Sequence, residues 1–211
     1  MENIEFAKYI DYTFLKPITS DEDIMKSVDI ANQRKYYSFC TYPQFLSIVN
    51  VNKSKDLKVS CVFNFPNGQQ GREVTEYELD FYKNSFDEID VVVPLYMVKN
   101  YCWQELDAWC GRLRSLYVNK VIKVIIEIGY WDEETIKCIC GILIHNKVDY
   151  VKTCTGFGPR NVTIEDIKFL KSICKDLIKI KASGGIKTRE FAESLINAGA
   201  DRLGTSSDLL A

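Results

Sequence analysis

The feature that most constrains this chain is a repeat of shape, not of residues. Short runs rich in Val, Ile and aromatic side chains alternate with longer amphipathic stretches along the whole length. The runs cover 10–14, 37–41, 58–64, 88–94, 123–128, 149–155, 178–183 and 201–205. The amphipathic stretches between them cover 20–35, 43–52, 73–84, 98–118, 132–147, 163–174 and 188–198. Strands separated by helices pair in parallel through right-handed crossovers. The runs read as nearly continuous apolar segments, as strands covered on both faces do. Eight such units in 211 residues predict an α/β fold, a single (β/α)8 TIM barrel at the short end of its size range. No Pro/Gly/Ser-rich linker divides the chain, so residues 1–211 read as one domain. A doubly wound open sheet is the alternative, but it wants a glycine-rich turn after the first strand, and Phe14-Leu15-Lys16-Pro17 is not one.

Caps mark several boundaries. Thr19-Ser20-Asp21-Glu22 opens the first long helix, and Thr163 and Thr188 are each followed by first-turn carboxylates. Gly199 stops the helix begun at Thr188. The segment from Ser206 predicts the start of a final short helix.

Composition narrows the function classes. Lys plus Arg number 27 and Asp plus Glu 29, giving a net charge of −2 and no electrostatic footprint for nucleic acid or an anionic membrane. The one histidine, His145, removes an HExxH metal site and leaves a catalytic triad a single candidate base. It reads as the last residue of a helix. The eight cysteines contain no C-x-x-C pair, which argues against a zinc knuckle. The polar start of the chain carries no secretory signal, so the thiols are expected reduced and mostly buried in a cytoplasmic protein. No apolar run is long enough to cross a bilayer.

Reactive residues in a barrel sit at the C-terminal ends of strands. The charged residues inside the apolar runs are Asp11, Asp90, Lys123, Glu127, Lys152, Lys179 and Lys181. A buried charge is costly unless paired or used, and any one of these alone reads equally as a paired structural charge. Lys152 and Lys181 lie on consecutive runs, so the barrel makes them neighbours. At about 4 Å and an effective dielectric of ~20, two ammonium groups repel by roughly 4 kcal/mol. That repulsion drives one lysine toward the neutral amine, a nucleophile for carbonyls. The turns at Ser183-Gly184-Gly185 and Gly204-Thr205-Ser206-Ser207 follow the last two runs, where barrels commonly build phosphate sites.

Eight short segments in order then give a resemblance over nearly the whole chain: Ile10-Asp11-Tyr12-Thr13, Cys40-Thr41-Tyr42-Pro43, Asn64-Phe65-Pro66-Asn67-Gly68, Asp87-Glu88-Ile89-Asp90-Val91-Val92, Lys123-Val124-Ile125-Ile126-Glu127, Val151-Lys152-Thr153-Cys154-Thr155-Gly156-Phe157, Lys181-Ala182-Ser183-Gly184-Gly185-Ile186 and Gly204-Thr205-Ser206-Ser207. The sequence resembles the deoxyribose-phosphate aldolase family of class I aldolases. The resemblance implies a (β/α)8 barrel that reversibly cleaves 2-deoxy-D-ribose 5-phosphate, a small sugar phosphate, to acetaldehyde and D-glyceraldehyde 3-phosphate, with no cofactor or metal. It implies Lys152 as the Schiff-base lysine, Lys181 as the second lysine, Asp90 as the proton-transfer aspartate, and Asp11 and Lys123 as supporting residues. It also implies Gly156, Gly184, Gly185, Gly204, Ser206 and Ser207 as substrate or phosphate ligands, and a homodimer, for which Tyr101, Trp103 and Trp109 offer apolar surface unless they pack on the barrel.

Some positions depart from the family pattern. Tyr12 stands where His or Leu is common, Cys154 where Ser is usual, and Ser85-Phe86 where Gly-Ala is usual. Asn146-Lys147-Val148 stands for Ala-Gly-Ala, which predicts a looser helix-to-strand turn. The chain carries no C-terminal tail tyrosine of the kind that assists proton transfer in some relatives. Two alternatives stay open: an aldolase of the same site with another acceptor, set by Asn64, Phe65 and Tyr96, and a non-catalytic phosphate-binding barrel.

Overall fold

The computed structural model describes residues 1–211. Eight parallel strands close into a barrel in chain order: β1 (Ile10–Thr13), β2 (Ser38–Thr41), β3 (Lys58–Phe63), β4 (Glu88–Val92), β5 (Val121–Ile125), β6 (Tyr150–Lys152), β7 (Lys179–Ser183) and β8 (Arg202–Thr205). β8 pairs back onto β1 with Asp11 opposite Gly204. The helices are α1 (Asn3–Ala7), α2 (Asp21–Arg34), α3 (Leu46–Asn52), α4 (Arg72–Tyr82), α5 (Leu95–Lys99), α6 (Trp103–Leu116), α7 (Glu133–His145), α8 (Ile164–Cys174) and α9 (Arg189–Asn197). None is long and apolar enough to cross a membrane.

The strands correct the expectation of continuous apolar runs. They alternate with period two, and the two faces carry different chemistry. Phe39, Val59, Cys61, Phe63, Ile89, Val91, Ile122, Val124, Val151, Ile180, Ala182 and Leu203 join a cluster of 51 buried residues that includes the inner faces of the helices. The intervening positions, among them Asp11, Ser60, Asp90, Lys123, Lys152 and Lys181, are buried too. The one other apolar cluster is three residues, Leu15, Cys40 and Val62. Barrel interiors are usually filled by layers of branched apolar side chains. Here ion pairs occupy much of that volume, and the apolar core lies mainly between sheet and helices.

Local chemistry explains most boundaries. Ser20 and Thr163 form capping boxes with Asp23 and Asp166, and Thr188 caps α9 through the Phe191 N–H. His145 is the last residue of α7. The single helix expected over 98–118 is two helices. Tyr101 turns left-handed at φ 56°, and the Cys102 N–H bonds the Met97 carbonyl at 2.9 Å, so α5 closes before α6 starts at Trp103. Trp109 is buried on the core and Trp103 packs against it, while Tyr101 is 69% exposed. The short helix α1, which carries no strong pattern, places Phe6 in the core.

Two further expectations are corrected. No helix follows β8, because Asp208 is tied down there instead. Its carboxylate accepts from Tyr36 Oη at 2.6 Å and from Arg34 Nε at 3.0 Å, and Leu209 is buried beside them. The turn after α7 is closed, not loose. Lys147 supplies the left-handed residue at φ 54°, and the Val148 N–H bonds the Leu143 carbonyl at 3.0 Å.

Since the apolar core lies between helices and sheet, Leu170 on α8, fully buried, is a fair probe of it. Leu170→Ala is expected to lower unfolding free energy by about 2–5 kcal/mol, read from the urea midpoint at unchanged slope.

Candidate active site

Register brings the charged side chains together. Asp90 is opposite Lys123 across β4 and β5, and Lys152 is opposite Lys181 across β6 and β7. At the centre is the Asp90 carboxylate. Its Oδ2 accepts from Lys152 Nζ and Lys181 Nζ, each at 2.7 Å, and its Oδ1 accepts from Lys123 Nζ at 2.7 Å and Ser60 Oγ at 2.7 Å. Asp11 sits beside them, with Oδ2 at 2.5 Å from Lys181 Nζ and 3.5 Å from Lys123 Nζ. Arg202 donates to Asp11 Oδ1 at 2.9 Å, and Glu88 lies 2.5 Å from Lys123 Nζ. The five residues singled out as catalytic or supporting are therefore one connected cluster. Arg202 and Glu88 join it although neither stood out in the sequence: each follows another charge, Asp201 and Asp87, and so reads as part of a solvent-facing end.

The electrostatics separate the lysines. Burial works against the Lys181 ammonium, but Asp11 and Asp90 outweigh it and hold its pKa above the ordinary value. Burial likewise opposes the Lys123 ammonium, and Asp90, Asp11 and Glu88 raise its pKa well up. Lys152 goes the other way: burial lowers it first, Asp90 offsets part of that, and the Lys181 charge lowers it again. Repulsion by Lys181 thus acts as the spacing suggested, but desolvation leads and an aspartate stands between the two amines. Burial also opposes the Asp90 carboxylate, yet the Lys123, Lys152 and Lys181 charges hold it well below the usual carboxylate range.

Lys152 is also the one member of the cluster that lines the cavity at this end of the barrel. The cavity, about 700 Å³, opens at the C-terminal ends of β1, β6, β7 and β8. Lys152, Gly156, Gly184, Gly185, Gly204 and Ser206 all line it. Ser207 does not; its N–H is turned onto Thr205 Oγ1 at 3.0 Å. Gly185 has φ 77°, and a Cβ there would lie 2.4 Å from Asn161 Cγ, so only glycine leaves this wall open. Gly204 clears space of a different kind, since a Cβ there would lie 3.1 Å from Lys181 Cε. Three cations not anticipated, Lys16, Lys26 and Lys187, line the same cavity. Lys187 could be sought two residues beyond Gly-Gly; Lys16 and Lys26 read as ordinary surface lysines.

The remaining candidates go elsewhere. Lys179 is exposed, with its ammonium 5.6 Å from the Tyr150 ring centroid. Asn64 and Phe65 line a neighbouring cavity of about 260 Å³ and Tyr96 another of about 670 Å³, not the Lys152 cavity. Glu127, buried and left-handed at φ 50°, accepts from the Thr155 N–H at 3.0 Å and hydroxyl at 2.5 Å, fastening the loop after β6. A buried amine of lowered pKa beside an ionised carboxylate can attack a carbonyl, and the cationic, glycine-walled side of the same cavity fits an oxyanion.

No family model matches the chain. It is 37% identical over 212 residues to the deoxyribose-phosphate aldolase of Treponema denticola, covering 98% of this chain and 97% of that one. Among solved structures it superposes on the aldolase QR15 with a TM-score of 0.93 at 36% identity, covering 98% and 93% of the two chains. It also superposes on the deoxyribose phosphate aldolase of Aeropyrum pernix, described as tetrameric, with a TM-score of 0.89 at 27% identity, covering 99% and 89%.

If the glycine wall receives an oxyanion, inorganic phosphate binds the native state and raises the melting temperature. Gly185→Ala, which drives a methyl group onto Asn161, is expected to lose most of that rise. An equal rise in both proteins, followed by thermal melts over a phosphate series, would place the anion elsewhere.

Proposed function

The chain belongs to the deoxyribose-phosphate aldolase family of class I aldolases, and from that premise we propose that Lys152 is its Schiff-base lysine. The reaction is the reversible cleavage of 2-deoxy-D-ribose 5-phosphate to acetaldehyde and D-glyceraldehyde 3-phosphate. The observation that carries the assignment is that Lys152 alone combines access to the cavity with a lowered pKa.

Neutral Lys152 attacks C1 of the open-chain aldehyde, and loss of water gives an iminium whose positive charge develops beside the Asp90 carboxylate. The C2–C3 electron pair then flows into the iminium to form an enamine. Asp90, acting through a water, takes the C3 hydroxyl proton as C3 becomes the aldehyde. Protonation at C2 and hydrolysis release acetaldehyde and restore the amine. Lys181 remains a cation, held by Asp11, and opposes protonation of Lys152. Lys123 holds the other oxygen of Asp90. The phosphate is received by Gly184, Gly185 and Ser206 in the cavity wall, with Gly156 in the same wall and Lys187 supplying charge. Such a remote anchor fixes C1 against Lys152.

We further place the protein in the cytoplasm as a homodimer. All eight cysteines are free and six of them buried, which suits a reducing compartment. Tyr77 and Phe81 on α4, and Tyr101, are more than half exposed and supply apolar surface for a contact.

Lys152→Ala is expected to lower cleavage by on the order of a thousandfold or more while leaving the melting transition in place. Borohydride with acetaldehyde should add mass to the parent at Lys152 and nowhere else; an adduct on Lys181 or Lys123 would overturn the assignment. Lys181→Leu removes one cation that disfavours protonated Lys152, so the Lys152 pKa rises and less of the amine is free near neutral pH, while burial still opposes the charge. The free fraction grows with pH, so the defect should be largest near neutrality and shrink as pH rises. A pH–rate profile of acetaldehyde exchange checks this, and a defect equal at every pH would assign Lys181 a positioning role instead.

A further inference from the structure

Arg202 and Glu88 lie at the first residues of β8 and β4, at the barrel end away from the substrate cavity, and neither lines that cavity. Both are buried, at 7% and 2% exposure. Each touches the reactive cluster through one intermediary. Arg202 reaches it through Asp11, and its guanidinium lies 3.5 Å from the Tyr37 ring centroid. Glu88 reaches it through Lys123.

With these two included, the interior holds three carboxylates, Asp11, Glu88 and Asp90, and three cations besides Lys152, namely Lys123, Lys181 and Arg202. That set is neutral by itself. Burying net charge is far more costly than burying balanced charge, so a seventh charge on Lys152 is disfavoured by the whole set, not by Lys181 alone.

We propose that Arg202 and Glu88 are positioning residues for the aldolase reaction, fixing from the far end of the barrel the charge balance that keeps Lys152 an uncharged amine. This deepens the assignment of Lys152 and rests on it. The directions within the cluster agree. Burial opposes the Arg202 guanidinium, but Asp11, Tyr150 and Glu88 raise its pKa, and Asp11 is held low by Lys181, Lys123 and Arg202 against its own burial. Lys152 is the one amine in the set that burial wins.

No other interior group upsets the count. β2 contributes Cys40 and β6 contributes Tyr150, both pushed up by burial and so uncharged near neutral pH, and β3 contributes the Ser60 hydroxyl. Glu127, on the loop after β5, turns its carboxylate onto Thr155 and forms no ion pair with the cluster, and it is not among the charges that shift Lys152. Lys16, Lys26, Lys187 and Asp23 line the cavity and are exposed, so their fields are screened.

The two residues have opposite charge, so their removal has opposite signs. Arg202→Met leaves an excess negative charge, which favours protonated Lys152. Glu88→Gln leaves an excess positive charge, which disfavours it. The measurement is the pH dependence of borohydride trapping of acetaldehyde on Lys152, located by mass spectrometry of the full-length protein. Arg202→Met is expected to move the midpoint up by about one pH unit or more, an approximately tenfold loss of trapping below the midpoint. Glu88→Gln is expected to move it down. Arg202→Lys should hold the parent midpoint, and the double variant should return to near it. A folding defect lowers amplitude and moves no midpoint in opposite directions.

Glu88→Gln is isosteric and leaves Lys123 its bond to Asp90, so it carries the test alone if Arg202→Met fails to fold. Midpoints that stay at the parent value, or both move one way, would overturn the proposal while leaving Lys152 as the nucleophile. A parent adduct on another lysine would overturn both.

Discussion

The Asp90 carboxylate, fully buried and held by three lysines, is the constraint on which the rest of the structure depends. A carboxylate in that position without cations would protonate or unfold the barrel, and three lysines without it would repel one another. Each member is tolerable only because the others are present. Such a network contributes little net stability, because desolvation consumes most of the Coulombic gain. What it supplies is a fixed arrangement of charge in which one amine differs from the rest.

Stability has to come from elsewhere, and the fold separates the two tasks by the period of the strand. Outward residues such as Val91, Val124, Val151 and Ile180 bury apolar area against the helices, while the inward residues beside them carry the ions. The closed barrel makes this separation possible, since every strand has a neighbour on both sides and no edge competes for the polar side chains. The cavity then opens where strands end, so that on the proposed assignment the substrate meets Lys152 above the cluster and its phosphate meets loop backbone freed by glycine. Glu127 illustrates how such a loop is held: a buried carboxylate fastens Thr155, three residues beyond Lys152, and Gly158 leaves room for it, since a Cβ there would lie 2.4 Å from the carboxylate.

Legibility differed from residue to residue for identifiable reasons. Asp11, Asp90, Lys123, Lys152 and Lys181 stood out because a charge inside an apolar run is anomalous, and all five meet in one cluster. Arg202 and Glu88 were missed because each follows another charge, Asp201 and Asp87, so neither stands alone inside an apolar run. Lys16 and Lys26 were missed because nothing local separates a cavity-facing lysine from a surface one. Ser206 lines the cavity and Ser207 does not, a difference between adjacent residues that no sequence pattern marks and that goes with the bond from the Ser207 N–H to Thr205. The helix expected over 98–118 was misjudged because Tyr101 carries no glycine-like signal for the left-handed turn it adopts.

The sequence by itself determined the eightfold strand–helix alternation, the caps, and the charges flanked by apolar residues that form most of the buried cluster, because propensity, capping and the cost of desolvation act on local patterns. It also determined the family, through eight short segments in fixed order. Only the tertiary structure decided that the strands alternate in chemistry, with ions inside and apolar residues outside. That pattern depends on which face closure of the barrel turns inward. The tertiary structure also decided the inequality of the lysines. Whether an amine is held as a cation or left to its burial is set by the distances to Asp11, Glu88, Asp90 and Arg202, residues brought from β1, β4 and β8 across the barrel. No spacing along the chain encodes those distances.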